Sequence, residues 1–132
     1  MFPLELVRDS FRAPNGEFGW TRAQIPLVVE ILRRRELGIL GGELWWVRDG
    51  IPSWHGAIPQ RDGTQAVYCW VTKRGSDEPW PQFVERGAGD VLAAVARHPE
   101  PDDLPYDLPG RILYNLTWVS DEEFKQFGTK AI

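Results

Sequence analysis

The side chains that could act as a nucleophile or a general base are few. The chain has one cysteine, Cys69, and two histidines, His55 and His98. A thiol enzyme needs its cysteine beside a base that a third group orients. Cys69 lies between Tyr68 and Trp70 in an alternating segment, where a cysteine is usually a small, buried and inert hydrophobe. No sequence signature of a catalytic cysteine surrounds Cys69, so we expect no thiol chemistry.

The sequence supports a metal site or a phosphate site no better than it supports a thiol enzyme. His98, Asp102 and Asp103 are close in sequence, but the prolines among them fix no ligand geometry. A histidine near a helix end is explained by the interaction of its charged form with the helix dipole. The glycine-containing stretches 38–42 and 87–89 lack the lysine and hydroxyl pattern of a phosphate-binding loop. We therefore predict neither a metal nor a cofactor.

A hydrolase or a small-ligand-binding protein is the second functional hypothesis. Its site would lie between the predicted strands and the loop 99–110, with His55 or His98 as the base. An aspartate would orient that base, and the candidates are Asp49, Asp62, Asp102 and Asp103. Replacing both histidines by alanine would abolish such an activity and leave a binding protein nearly intact.

Tryptophan is the most distinctive residue type in the chain. Seven are present, and Trp45 and Trp46 are adjacent in a predicted strand. Neighbouring side chains of a strand point to opposite faces, so one indole enters the core and the other needs a different cover. We expect that second indole to form an exposed aromatic patch with Trp54 and His55, because tryptophan is favoured at protein interfaces.

A different interpretation hides the same indole within the chain. The N-terminal segment can cover the open sheet face through Phe11, Phe18 and Trp20, since large aromatic side chains are normally buried. The sequence leaves open which cover is used and whether residues 1–19 are ordered. Shielding of all the tryptophans from iodide in the monomer would exclude the exposed patch.

The charge balance bears on the partner. The chain has 15 Lys+Arg and 19 Asp+Glu, a formal net charge of −4. Nonspecific nucleic-acid binding needs clustered cations, and the one basic run, residues 33–35, is flanked by Glu30 and Glu36. Residues 99–110 contain four prolines and four acidic residues, which predicts an irregular acidic loop. These features favour a basic protein partner over nucleic acid.

The leading functional hypothesis is therefore a small, acidic, non-catalytic protein-binding domain of the adaptor or inhibitor type. Its contact surface would combine the aromatic patch with the acidic loop, and self-association through the aromatic face is a variant. The predicted partner-binding residues are Trp45, Trp46, Trp54, His55, Asp102, Asp103 and Asp107.

Length and composition favour one domain over residues 1–132. No apolar run reaches the roughly 18 residues that a membrane span needs. The first residues lack the basic and then apolar pattern of a secretory signal, and a single cysteine agrees with a reducing compartment. We therefore predict a soluble cytoplasmic protein without a membrane partner.

Two helices are predicted from apolar stripes and a third from its capping residues. Residues 25–32 place apolar side chains on one helical face, which predicts a helix over 22–37. Residues 80–95 predict a longer helix that contains Gly87 and Gly89, each costing about 1 kcal/mol relative to alanine. We expect close packing on the sheet to explain both glycines. A capping box that starts at Ser120 predicts a short last helix.

Four segments have the composition or alternation of strands: residues 43–47, 53–58, 65–73 and 111–119. Turns join the first three into an antiparallel meander, and the third has apolar residues on both faces, so we expect it to be central. The sequence thus predicts an α+β fold with one mainly antiparallel sheet, formed by the three-strand meander and the C-terminal strand. Two main helices would pack on one face of it, and a short helix would follow.

Overall fold

The computed structural model describes residues 3–53, 57–59, 62, 64–97 and 110–127. Over these ranges the chain is an α+β protein with an antiparallel sheet, two main helices and a short C-terminal helix, as the sequence predicted. The strands are β1 (Phe11–Arg12), β2 (Phe18–Gly19), β3 (Gly38–Arg48), β4 (Ile51–Pro52), β5 (Ala57–Pro59), β6 (Gln65–Val67), β7 (Cys69–Val71) and β8 (Arg111–Val119). The helices are α1 (Ile25–Arg34), α2 (Trp80–Arg97) and α3 (Asp121–Phe127), with 3₁₀ turns over Leu4–Leu6 and Arg22–Gln24.

The longest strand, β3, lies at the centre of the main sheet. One of its edges pairs antiparallel with β8, from Gly38 opposite Val119 to Val47 opposite Arg111. Its other edge pairs antiparallel with β4 and β7, while β5 and β6 form a separate pair. The sheet order therefore brings the C-terminal strand, β8, beside β3.

Two glycines allow β3 to extend beyond its predicted start. A Cβ on Gly42 would lie 2.6 Å from the carbonyl oxygen of Asn115, and one on Gly41 would meet the carbonyl oxygen of Trp70. Only glycine lets the backbones of β7 and β8 approach β3 so closely. The predicted strand, residues 43–47, starts after both glycines.

The expectation that residues 65–73 form the central strand is wrong. The segment is interrupted at Tyr68, so that β6 pairs with β5 and β7 lies along an edge of the main sheet. Val67 and Val71 are 62% and 54% exposed. Alternation tells which way a side chain points, but it does not show whether a second layer covers that face.

The first helix begins as predicted and ends in a strained position. Thr21 and Gln24 form the predicted capping box at the 3₁₀ turn that leads into α1. After α1 the backbone adopts a φ of 57° at Glu36, and the Leu37 amide donates to the Leu32 carbonyl at 3.0 Å. This bond closes a Schellman motif, whose left-handed position glycine usually occupies. Glu36 therefore carries a conformational cost that glycine would avoid.

The two glycines of α2 have different surroundings. A Cβ at Gly87 would lie 2.9 Å from the carbonyl oxygen of Ile39, so close packing on β3 requires glycine there. A Cβ at Gly89 would meet nothing within 4 Å. The predicted packing reason is confirmed for Gly87 and wrong for Gly89.

The main core lies on the face of the sheet that α1 and α2 cover, here called the helix side. Side chains of β3 and β8 that share this face, such as the paired Leu44 and Tyr114, pack against both helices. No helix formed by the described residues is long and apolar enough to span a bilayer. The buried residues of this core are Leu6, Trp20, Ile25, Val28, Val29, Leu32, Ile39, Leu44, Ile58, Ala88, Val91, Val95, Ile112, Tyr114 and Leu116.

The opposite face, here called the hairpin side, carries a smaller cluster. The sequence left open whether the N-terminal segment is folded. Residues 3–19 form a 3₁₀ turn and a hairpin of β1 and β2. This hairpin packs on the sheet through Phe11 and Ala13. The sheet contributes Trp45, Val47 and Leu113 to the same cluster.

Candidate functional site

Trp45 points to the hairpin side and is completely buried. Its side chain is 0% exposed, and the Phe11 ring meets it edge-on at a centroid distance of 6.4 Å. The Gly19 backbone also lies on the indole, where an added Cβ would come within 3.1 Å of the ring. The indole N–H donates to the Glu43 carboxylate at 2.7 Å. The N-terminal segment therefore covers this indole, and Trp45 has no surface to offer to a partner in this structure.

Trp46 points to the helix side and is half-buried against the main core. The guanidinium of Arg48 lies 4.4 Å from the centroid of its ring. Its backbone N–H donates to the Ser53 hydroxyl at 2.9 Å, which ties β3 to the end of β4. Of the adjacent pair, only Trp46 reaches solvent, and a cation already stacks on it.

The other predicted contact residues are not among those that the structure describes. Trp54, His55, Asp102, Asp103 and Asp107 all lie outside the described ranges. The aromatic patch around Trp54 and the acidic loop of residues 99–110 therefore stay predictions.

The groups named for the hydrolase alternative are only partly described. His55 and His98 lie outside the described residues, while Asp49 is an exposed turn residue. Asp62 accepts hydrogen bonds from the Thr64 hydroxyl at 2.6 Å and the Thr64 amide at 2.9 Å, which lower the pKa of its carboxyl. Cys69 is exposed, so the expectation of a buried cysteine is wrong. The described residues contain no group of three potential metal ligands.

A cleft of about 510 Å³ lies where the hairpin, β8 and α3 meet. This volume is within the range of roughly 300–1,000 Å³ that is typical of ligand sites. None of the residues that form it was predicted as a contact residue. Its lining residues are Gly16, Glu17, Phe18, Trp20, Leu37, Asn115, Leu116, Thr117, Trp118 and Glu123.

Three hydrogen bonds dock the hairpin on β8 and so create one wall of the cleft. Trp20 and Tyr114 exchange backbone bonds of 2.9 and 2.7 Å. The Asn115 side-chain amide donates to the Phe18 carbonyl at 2.8 Å. The Trp20 indole N–H donates to the Leu6 carbonyl at 3.0 Å, which fixes the hairpin to the first 3₁₀ turn. The wall is therefore held by contacts between residues that are far apart in sequence.

Two indoles line the cleft together with other apolar side chains, and of the two only Trp118 has appreciable exposure, since Trp20 is 2% exposed. The rings of Trp20 and Trp118 lie 6.0 Å apart between centroids and are tilted by 44°. This geometry is within the favourable range for aromatic pairs. Trp118 and Thr117 are both half-buried and line the cleft, whereas Asn115 is 7% exposed and its side-chain amide is bonded to Phe18.

The cleft also has two carboxylates. Glu17 accepts a bond from the Asn15 side-chain amide at 2.5 Å in the turn of the hairpin. Glu123 accepts a bond from the Ser120 amide at 3.0 Å, and this capping bond lowers the pKa of its carboxyl. The described lining includes no Lys or Arg, although Arg12 stacks on the Phe18 ring at 5.6 Å. Among the described lining residues, the charged side chains are therefore both acidic.

One sequence pattern, the capping box at the start of α3, involves a residue of this cleft. The predicted capping box of Ser120 and Glu123 is confirmed, since the Glu123 amide also donates to the Ser120 hydroxyl at 3.1 Å. That pattern explained Glu123 as a helix cap and gave no reason to look for a ligand. Glu17 had no such pattern, because its place in the cleft follows from how the hairpin docks on β8.

Comparisons with known proteins give no relative for this chain. A scan against protein-family models, a search of curated proteins and a search of solved structures each find no match.

Proposed function

We propose that this chain is a non-catalytic protein-binding domain that holds a basic segment of its partner in the cleft between the hairpin, β8 and α3. The observation that carries the proposal is the combination of two carboxylates, Glu17 and Glu123, with the half-buried indole of Trp118 in one concave site. A lysine or arginine side chain matches both features, because it attracts carboxylates and stacks on indole faces.

Electrostatics would give this site its selectivity for basic partners. Both carboxylates are exposed at the border of the cleft, and a cleft lined by charges of one sign attracts groups of the opposite sign. The whole chain has a formal charge of −4, which also favours encounter with a cationic partner. The proposal thus keeps the partner class that the composition predicted and moves the contact surface to the cleft.

The properties of the acidic groups support binding over acid catalysis. A general acid needs a carboxyl whose pKa is raised toward neutral pH. The pKa of Glu123 is instead lowered by its bonds to the amide and hydroxyl of Ser120. An ionised carboxylate at this position suits the recognition of a cation.

A titration with a defined peptide tests the proposal. The probe is an acetylated and amidated peptide, Gly-Lys-Val-Thr-Val-Lys-Gly, and the signal is tryptophan fluorescence at low ionic strength. The double variant Glu17→Gln with Glu123→Gln should lose at least about 10-fold in affinity, given the strength of hydrogen bonds to charged groups. Glutamine at position 123 keeps a capping box, so the fold of α3 is preserved.

A matched double variant controls for net charge. Glu5→Gln with Glu85→Gln removes the same two charges from exposed ion pairs with Arg35 and Arg33. This control should bind within about twofold of the original chain, because Glu5 and Glu85 are not among the residues that line the cleft and an exposed ion pair contributes little. Equal losses in the two double variants, or no binding by the original chain, would contradict the proposal.

A small polar ligand is the second candidate, and the half-buried Trp118 and Thr117 in the cleft lining favour it. Sugars and bases stack on such aromatic surfaces and accept bonds from neighbouring polar groups. A neutral ligand would bind with little dependence on salt or on the Glu17 and Glu123 charges. Titration with neutral oligosaccharides under the same conditions separates the two candidates.

A further inference from the structure

We infer that a second copy of this chain pairs with the outer edge of β7, antiparallel and related by a two-fold axis, with Val71 opposite Val71. No residue of β7 lines the cleft, so this surface goes beyond the proposed function and does not depend on it. Strand addition to a sheet edge uses backbone hydrogen bonds for affinity and side-chain contacts for specificity.

The backbone of β7 leaves alternate residues with groups that face away from the sheet. The Tyr68 carbonyl accepts a 2.9 Å bond from β3, and the Thr72 N–H donates a 2.8 Å bond to β3, so both residues point inward. In an antiparallel ladder the residues of one strand alternate between its two edges. Cys69 and Val71 therefore direct their N–H and C=O groups outward. Among the described strands, none pairs with β7 on this outer edge.

The side chains next to these groups are exposed and apolar. Val71 is 54% exposed, Val67 in the preceding strand is 62% exposed, and the Cys69 thiol is exposed as well. Sheet edges are commonly protected from pairing by charged residues or prolines. Residues 65–72 contain neither, so this edge lacks that protection until Lys73.

Charge complementarity identifies the occupant as a second copy and sets the register. Lys73 is exposed, and lysine at a sheet edge opposes pairing unless a carboxylate meets it. With Val71 at the axis, Lys73 of one copy lies opposite Cys69 of the other. Glu43 of β3 is the next residue in that row, because it lies opposite Cys69 within the same chain.

The distance between these two charges suits an ion pair. Strand spacings of about 4.5 and 5.5 Å place the two Cα atoms about 10 Å apart, with only the small side chain of Cys69 between them. Lysine and glutamate side chains together can span this gap. The Glu43 Oε1 accepts the Trp45 indole N–H at 2.7 Å, which leaves Oε2 for Lys73. Two-fold symmetry makes the same ion pair on the other side of the axis.

The same register satisfies the outward backbone groups. The two Val71 residues would exchange N–H and C=O bonds in both directions, and each Lys73 N–H would donate to the Cys69 carbonyl of the other copy. The Lys73 carbonyl already accepts a bond from Arg86, so this pairing does not call on it. An interface this short corresponds to a weak, reversible dimer.

Sedimentation equilibrium with a reducing agent, which keeps Cys69 as a thiol, tests the inference. The original chain should show a reversible monomer–dimer equilibrium between about 1 μM and about 1 mM. Lys73→Glu should weaken the dimer at least about 10-fold, because it places a carboxylate beside Glu43 of the other copy. The matched control is Arg8→Glu, which makes the same change of charge at an exposed position of the N-terminal segment and should stay within about twofold.

A second change tests the register and separates it from a loss of folding. Adding Glu43→Gln to Lys73→Glu removes the repulsion and keeps an acceptor for the Trp45 indole N–H. The double variant should therefore regain most of the dimer that Lys73→Glu loses.

The axis has its own variant. Val71→Lys brings two like charges together and should weaken the dimer at least about 10-fold. Its control is Leu27→Lys, at a position of α1 that is 62% exposed, and this variant should not change the dimer.

Three results would show that the inference is wrong: a chain that stays monomeric up to about 1 mM, equal effects of each variant and its control, or no recovery in the double variant. None of them bears on the cleft. Lys73→Glu should bind the lysine-containing peptide as the original chain does, so the proposed function stands or fails on the peptide titration alone.

Discussion

The helix side and the hairpin side of the sheet are built from different kinds of contact. On the helix side, α1 and α2 bury continuous apolar stripes against β3 and β8. On the hairpin side, a short two-stranded element packs mainly around one indole, Trp45, and is tied to β8 by a few hydrogen bonds. Broad apolar packing therefore supplies the scaffold, while the smaller element shapes the border where the cleft lies.

Removing the central indole of the hairpin side is the strongest test of this comparison. Trp45→Ala should lower the free energy of unfolding by about 3–5 kcal/mol, because it empties the space between Phe11, Gly19 and the sheet. Denaturant unfolding measures this loss, and hydrogen exchange should show faster opening of the hairpin. The matched variant is Trp46→Ala on the helix side, which should cost less because Trp46 is half-exposed. A larger cost for Trp46→Ala would show that the hairpin is not held by Trp45.

On the helix side, the two glycines of α2 form a matched pair. Gly87→Ala should destabilise the protein by about 1–3 kcal/mol, because its Cβ would press on the Ile39 carbonyl oxygen. Gly89→Ala should stabilise it by up to about 1 kcal/mol, since alanine is the better helix former and the space is open. Midpoints of denaturant unfolding compare the two variants. Changes of the same sign would contradict the close packing of α2 on β3 at Gly87 and the open space at Gly89.

The end of α1 predicts a smaller gain. Glu36→Gly should stabilise the protein by about 0.5–1 kcal/mol, because glycine adopts the φ of 57° without steric cost. Thermal unfolding is the measurement, and Glu36→Ala is the control because alanine retains a Cβ. If the two variants gain equal stability, the gain does not come from relief of the left-handed backbone conformation at position 36.

The start of α2 predicts a dependence of stability on pH. Arg86 donates to both carboxylate oxygens of Glu78 at 2.7 and 2.8 Å and, with the Gly75 amide, lowers the pKa of Glu78 from 4.5 to about 2. A lowered folded-state pKa gives stability that is present above pH 4.5 and is lost as the pH falls toward about 2. Glu78→Gln should therefore reduce the loss of stability over this window.

Unfolding measured at several pH values checks the prediction for Glu78. The control is Glu122→Gln, which removes an exposed carboxylate of α3. If Glu78→Gln and Glu122→Gln change the pH dependence equally, the ion pair with Arg86 does not have the predicted effect.

The helix side was largely predictable because its signals are local. Apolar spacing located α1 and α2, and the capping residues Thr21 and Ser120 marked two starts correctly. The alternation of residues 111–119 assigned the side chains of β8 to the correct faces. Each of these patterns involves residues within a few positions of one another, so one sequence suffices to recognise them.

The hairpin side and the cleft were less predictable because their contacts are distant in sequence. The burial of Trp45 depends on Phe11 and Gly19, and the cleft depends on the bond between Asn115 and Phe18. The sequence allowed the N-terminal cover only as an alternative to an exposed patch. The sequence did not show which residues of the N-terminal segment lie against which residues of the sheet. Glu17 was therefore not recognised as part of a site.

The most direct test of the central claim is a map of backbone amide shifts during titration with the peptide Gly-Lys-Val-Thr-Val-Lys-Gly. We predict that the largest changes cluster at Gly16, Glu17, Leu116 and Glu123, with little change along the exposed β7 edge from Cys69 to Val71. Changes concentrated on β7, or spread evenly over the surface, would contradict the claim that the acidic cleft is the binding site.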